Sequence, residues 1–281
     1  VTTNPNLIIN GGFDFWQRGI SATATGASFL LADMWEYSSG AAPIAWTVSQ
    51  ETFDVGQTDV PETPVYFSRM DITTGTGDAG SMITKIENVG TVSGELVTFS
   101  FWGRGTFNLP IQFDFLQNYD SVTSNIRTVI DSFTLTTGWQ KFTFSFTAAD
   151  VSGGVVGVKS SVSPQLIFPT GAIGTIDIAN VKFERDGVAT PFTRAGNTVP
   201  AELTTCQGFY EIGRYDLFNN TGGTITLGIG VQFFVPKRGT PTVIDIGGNT
   251  VESVDFKGFR VSGSINSGQW LGADYTAEYR L

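Results

Sequence analysis

Val97-Thr-Phe-Ser-Phe-Trp102 is the stretch that decides the fold class. Val97, Phe99 and Phe101 fall on one phase of a period of two, and Thr98, Ser100 and Trp102 fall on the other. Such alternation marks a strand with one face in a core. Ile111-Gln-Phe-Asp-Phe115 and Phe142-Thr-Phe-Ser-Phe146 repeat it. Clusters of turn formers, Thr73-Thr-Gly-Thr-Gly-Asp78 and Ser152-Gly-Gly154, separate such runs. Many strands at short spacing predict an all-β chain whose N-terminal part is a jelly-roll β-sandwich. Near Ile176-Asp-Ile-Ala-Asn-Val-Lys-Phe183 the phase slips: Ile176 and Ile178 are even-numbered, Val181 and Phe183 odd. That slip predicts a β-bulge.

Composition agrees. The 281 residues include 34 Gly and 23 Phe, and only 15% are charged, which suits short strands packed by aromatic and β-branched side chains. A net charge of −10, with 16 scattered Lys and Arg, argues against a nucleic-acid partner, because phosphate binding needs clustered cations. The apolar runs are too short to span a bilayer, so no membrane insertion is expected. No basic-then-apolar leader opens the sequence, and release by cell lysis is expected instead. Histidine is absent and Cys206 is alone. The usual general base, the usual transition-metal ligand, an intrachain disulfide and a thiolate zinc cluster are therefore excluded. Paired carboxylates such as Asp114 with Asp120, or Glu51 with Asp54, remain formally available, but no local signature selects a pair. The expectation is a non-enzyme that requires no cofactor.

Pro200 to Ile212 predicts a helix, with Leu203, Cys206 and Tyr210 at helical spacing and Thr198 or Asn197 as its cap. The polar stretch Arg194 to Pro200 before it is taken as a boundary, giving domains 1–195 and 196–281. Beyond it Thr224–Val231, Thr242–Ile246, Phe259–Val261 and Tyr275–Tyr279 predict strands, so the second domain is a small β unit carrying one short helix.

Several segments, in order, resemble a family of bacteriophage tail-fibre and virion-surface proteins. Asn6-Leu-Ile-Ile-Asn-Gly-Gly-Phe-Asp-Phe-Trp-Gln-Arg-Gly19 is similar to the opening of those chains, and Leu31-Ala-Asp-Met-Trp35 to the element that follows it. Ser93 to Arg104 resembles their "G-x-x-V-T-x-S-F-W-x-R" strand, and Thr136-Thr-Gly-Trp-Gln-Lys-Phe142 their "T-x-x-W-Q" motif. Asp177 to Glu184, Val188 to Phe192 and Leu203 to Gln207 complete the series, and Gly228 to Thr242 resembles their "F-x-V-P-x-R-x-x-P-T" turn. The resemblance implies a carbohydrate-binding-module-like jelly roll followed by a trimerising β domain. It also implies a homotrimer on the virion surface, made in the host cytoplasm, with other virion proteins and a host-surface glycan as partners. The signature begins within the first ten residues, so a short fibre tip or a capsid or tail decoration is as consistent with it as a long fibre.

Candidate sites follow from phase. Trp102 lies out of phase with Phe99 and Phe101. If the three alternating runs share one sheet, Trp102 joins Arg104, Gln112, Asp114, Thr143 and Ser145 in a polar glycan-binding patch. The alternative is a Trp102 packed in a second apolar layer. Trp16 and Trp35, beside Gln17, Arg18 and Asp33, are read as rings sealing the end of the sandwich, with Asp33 and Arg18 pairing or satisfying loop backbone; the alternative is a polar, aromatic surface site near the N-terminus. Asp14 and Asp177 raise a structural calcium site of the kind such jelly rolls hold; the alternative is two turn or strand-edge acids. Phe233 and Phe234 are adjacent, so one must leave the protomer core, as at a subunit interface; the alternative is a core covered on both faces. The leading function is a fibre or tip that attaches to a host glycan. A ligand-free decoration or cement subunit is the alternative, and a polysaccharide depolymerase ranks last.

Overall fold

The structure, a computed structural model, describes residues 5–25, 28–39, 45–74, 80–107, 109–171, 173–219 and 221–281. Most of the turn expected at Thr73 to Asp78 lies outside these residues. The chain packs as two units, Val1–Glu202 with Leu281, and Leu203–Arg280.

The first unit opens with β1 (Ser21–Thr25), β2 (Phe29–Leu30), β3 (Trp35–Ser39), β4 (Ala45–Thr52), β5 (Tyr66–Thr74), β6 (Gly80–Thr84) and β7 (Ile86–Glu87). It continues with β8 (Leu96–Gly105), β9 (Ile111–Asn118), β10 (Ile126–Phe133), β11 (Gln140–Thr147), β12 (Ser161–Phe168) and β13 (Gly174–Arg185). Two antiparallel sheets result, ordered β1-β4-β5-β13-β8-β11 and β10-β9-β12-β6-β3-β2, with β7 beside β12. From β8 onward the chain passes back and forth between the sheets, which is how a jelly roll closes its core.

The alternating runs fill that core. Phe99 of β8 stacks on Phe113 of β9 at 4.5 Å between ring centroids, and Phe113 meets Phe144 of β11 at 5.1 Å. Each buried ring stabilises by about 1.5–3 kcal/mol through area alone, and such aromatic pairs add about 0.5–1.5 kcal/mol.

The bulge expected in the last strand is present. Pairing of β13 with β8 shifts register between Ala179 and Lys182, and Asn180 takes a φ of 48°. The extra residue lets Ile176 and Ile178 point inward and then Val181 and Phe183 do the same, all at most 1% exposed. The N-terminal segment is stitched to this irregularity. Leu7 N donates to Phe183 O at 2.8 Å, Val181 N to Gly11 O at 2.9 Å, and Asn6 Nδ2 to Val181 O at 2.9 Å. A Cβ at Gly11 would sit 2.2 Å from Val181 O, so only glycine allows this approach.

Asn10 is the hub of the same end. Its Nδ2 donates to Phe15 O and Asp33 O, its Oδ1 accepts from Phe15 N, and its carbonyl accepts from Trp35 Nε1. Trp16 and Trp35 are buried here, while Asp33 accepts from Gln17 and pairs with Arg18 at 3.4 Å. The two indoles and the acid–arginine pair seal the sandwich, as expected.

The helix is shorter than expected: α1 spans Val199–Gln207. Thr198 caps it, its Oγ1 accepting from Ala201 N at 3.3 Å. Gly208 ends it, and Tyr210, expected on the helix, begins β14 (Tyr210–Phe218). Pairing along the whole of β19 outweighs local helical spacing here. After β14 come β15 (Ile225–Gln232), β16 (Thr242–Asp245), β17 (Thr250–Val254), β18 (Gly258–Ile265) and β19 (Trp270–Glu278). They form two three-stranded sheets, β14-β19-β16 and β15-β18-β17. Tyr215, Phe233, Phe259, Val261 and Tyr275 fill the core between them. At its edge the fully buried Lys237 ammonium donates to Glu211 and to Gln207 O, and Tyr275 OH donates to Glu211 Oε1 at 2.8 Å.

Candidate functional site

The outer face of the β1-β4-β5-β13-β8-β11 sheet is covered at one end and open at the other. At the covered end Lys182 and Glu184 are buried and pair at 3.2 Å. Lys182 Nζ also donates to Thr190 Oγ1 and Pro191 O, and burial pushes its pKa below the ordinary lysine value. Thr98 Oγ1 and Ser145 Oγ donate to the carbonyls of Asp186 and Gly187, so the segment after β13 lies across this end.

At the open end, register places one transverse row of side chains on a single face: Ser49 of β4, Arg69 of β5, Asp177 of β13 and Arg104 of β8. Asp177 is 3% exposed and is held between the two arginines. Arg69 donates through Nε to Oδ1 at 2.7 Å and through Nη2 to Oδ2 at 2.8 Å, a bidentate pair. Arg104 Nε donates to Oδ2 at 2.8 Å. The bond to Asp177, partly offset by burial, holds Arg69 above the ordinary guanidinium pKa.

Aromatic rings lie beside the row. Trp139 immediately precedes β11, whose Gln140 pairs with Gly103, and this sets the indole next to Arg104. The Arg104 guanidinium lies 4.7 Å from the Trp139 ring centre and 5.6 Å from that of Phe67. Trp139, Phe53 and Phe67 form a cluster with centroids 4.8–5.4 Å apart. Trp139 and Phe53 are half-buried, and Phe67 is 4% exposed. On the other side of the row is a shallow depression of about 240 Å³ lined by Arg69, Arg104, Gly105, Thr106, Thr137, Thr175 and Asp177. A Cβ at Gly105 would lie 2.1 Å from Thr175 O, so glycine is what lets β8 and β13 close under this depression.

The expected glycan patch is only partly assembled. Trp102, Arg104, Thr143 and Ser145 do share this face through the β8–β11 pairing. Gln112 and Asp114 do not. The chain crosses to the opposite sheet between β8 and β9, and there Asp114, fully buried, accepts from Gln112 Nε2 at 2.7 Å and pairs with Arg127. Trp102 is half-buried between the register positions of Ala179 and Lys141, outside the lining of the depression. Sequence reasoning passed over Trp139, Phe53, Phe67 and Arg69. The available signal was phase: Phe67, Arg69 and Asp71 alternate with the buried Met70 and Ile72, as Trp102 does with Phe101.

Calcium does not fit the acids proposed for it. Asp177 spends both oxygens on Arg69 and Arg104, and Asp14 accepts from Arg194 Nε at 2.7 Å and Nη2 at 3.0 Å. Carboxylates neutralised by guanidinium are poor ligands for a cation that wants six to eight oxygens. Among the described residues no group of three or more Asp, Glu, Cys or His could hold a metal ion.

In the second unit Phe233 is 7% exposed and packs on Phe259 and Tyr275, so it belongs to the protomer core and not to an interface. Phe234 is 68% exposed and is the ring that leaves the core. On the outer face of the β14-β19-β16 sheet, Ile212 and Ile244 flank Thr276, and the Phe218 ring lies tilted against Trp270 at 5.0 Å, all exposed except the threonine.

No protein-family model matches the chain, and no curated protein matches it. Among solved structures it is similar to the enzymatically active domain of tailspike protein 4 of bacteriophage CBA120, with a TM-score of 0.39 and 12% identity over 64% of this chain. The match spans 21% of that tailspike chain. A family 11 carbohydrate-binding module from Clostridium thermocellum, in complex with a β-1,3-1,4-mixed-linked tetrasaccharide, matches with a TM-score of 0.38 and 13% identity over 61% of this chain and 98% of its own. The Stig cyclase Fisc from Fischerella sp. TAU matches at 0.43 and 11% identity over 67% of this chain and all of its own.

Proposed function

We propose that the first unit is a non-catalytic carbohydrate-binding module, and that the chain is a bacteriophage surface subunit, a fibre or fibre tip, working as a homotrimer. The observation that carries the binding reading is the Arg69–Asp177–Arg104 row, open at one end of a sheet face and flanked by Trp139. Charged groups held in place by each other, threonine hydroxyls and a half-exposed indole are what a polyol ligand needs: fixed hydrogen-bond partners and an apolar surface for its C–H face. The virion assignment rests on the ordered motifs from Asn6 to Gln207. The non-catalytic assignment rests on the lack of histidine and on the commitment of Asp114 to Arg127.

Glycan-array binding and affinity electrophoresis test the site. Trp139→Ala and Arg104→Gln should each weaken binding about tenfold, while Thr143→Ala should leave it unchanged. Binding left unchanged by both substitutions at the row would refute the reading. A chain that stays monomeric at micromolar concentration by mass photometry would remove the homotrimer.

One observation favours a second reading, a decoration or cement subunit without a ligand. Ile244, Trp270 and Phe234 are 59%, 65% and 68% exposed, apolar side chains that a subunit contact would cover. Antibody labelling of whole particles tests it: label confined to fibre tips supports the adhesin, and label along the capsid or tail surface supports the decoration subunit.

A further inference from the structure

We infer that the depression selects a sugar residue carrying an oxyanion, a carboxylate first of all, over a neutral one; this rests on the carbohydrate reading above. The donor and acceptor inventory of the lining points there. Asp177 is the one carboxylate in the lining, and both its oxygens already accept from arginine. What remains is mostly donors: Nη1 and Nη2 of Arg104 and Nη1 of Arg69 bond to nothing else among the described residues, and both side chains are about one-third exposed. Thr106 Oγ1 accepts from Thr175 N at 3.0 Å and keeps its O–H as a donor beside one remaining lone pair.

A neutral sugar hydroxyl both donates and accepts, and is half-satisfied by a wall of N–H groups. A carboxylate only accepts, and two oxygens in one plane match the fork of a guanidinium. The lining holds two cations and one anion, whereas the whole chain carries −10. Beyond a Debye length of about 8–10 Å the rest of that charge is screened. Asp71 and Glu51, the acids next to Arg69 after Asp177, lie outside the lining and bring the neighbourhood to two cations against three anions, so the preference rests on the unbonded guanidinium donors and not on net charge. At about 240 Å³ the depression is smaller than the roughly 300–1,000 Å³ of sites that enclose a drug-sized ligand, so it holds one residue of a chain.

Affinity electrophoresis of the full chain in gels carrying polygalacturonate, dextran sulfate or unmodified dextran tests this. Polygalacturonate should retard the protein most. Arg104→Gln should weaken that retardation about tenfold, the effect of losing one charge-assisted hydrogen bond. Thr137→Val, which leaves the ion pairs intact, should weaken it by a smaller factor and guards against a folding defect in the first variant. Stronger retardation by dextran sulfate would overturn the carboxylate preference. Equal retardation by dextran would overturn the oxyanion inference and leave the carbohydrate reading standing. No retardation in any gel, with a blank glycan array, removes both.

Discussion

Glu202→Gln is expected to abolish a specific pH dependence of stability in the first unit. Glu202 is fully buried in the first turn of α1. Its Oε1 accepts from Asn10 N at 2.6 Å, and its Oε2 has no hydrogen-bond partner among the described residues. Burial pushes its pKa up from 4.5 to about 7. The Asn10 N–H and the Arg194 charge oppose the rise, and the Asp14 charge adds to it. The folded protein therefore keeps a proton that the unfolded chain releases above pH 4.5. Stability is greatest below that value and falls as pH rises toward 7, where the carboxylate must ionise in place. At 1.36 kcal/mol per unit the whole window amounts to about 3 kcal/mol, most of it between pH 5 and pH 8. Glutamine can keep an acceptor for Asn10 N and does not titrate. The midpoint difference between Glu202→Gln and wild type should thus grow by about 5–10 °C from pH 5 to pH 8, at roughly 2–4 °C per kcal/mol. Tryptophan fluorescence during thermal unfolding reads this unit, since five of the six Trp lie in it and only Trp270 outside. Other carboxylates titrate in both proteins and cancel. A difference constant across that pH range would show that Glu202 is ionised or solvated in the folded state and would sink the reasoning.

Gly105→Ala should lower the urea midpoint of the first unit by the equivalent of about 2–4 kcal/mol, because the new methyl meets Thr175 O in the β8–β13 ladder; an unchanged midpoint would contradict that close approach. Asn180→Gly should be tolerated better than Asn180→Ala by about 1 kcal/mol in the same assay, since φ at the bulge is positive. Lys237→Met should destabilise the second unit by about 3–5 kcal/mol by stranding the Glu211 charge, and adding Glu211→Gln should recover much of the loss. A double-mutant cycle showing simple additivity would argue against the coupling.

Much of the fold was legible because burial writes directly onto a period of two. Phe99, Phe113 and Phe144 could be assigned to inward faces from spacing alone, and the bulge at Asn180 from a change of parity. The helix end was not legible. Phe209 to Ile212 satisfy a helical spacing as well as a strand, and only the partner strand β19 decides between them. The site was half legible for the same reason. Arg104 and Trp102 could be placed on an outer face, but which strands stand beside β8 depends on crossings between sheets, and those put Gln112 and Asp114 on the other side of the sandwich.

The sequence by itself determined that this chain is all-β, that its first unit packs Phe ladders between two sheets, and that these 281 residues offer no histidine, no intrachain disulfide and no thiolate cluster. These follow from composition and periodicity, which are local. Only the tertiary structure decided that Asp177 is shared by two arginines, that Trp139 lies beside them, and that Phe233 is core while Phe234 is surface. Those facts depend on which distant segments become neighbours, and register between strands, unlike alternation within one, is a property of the pair.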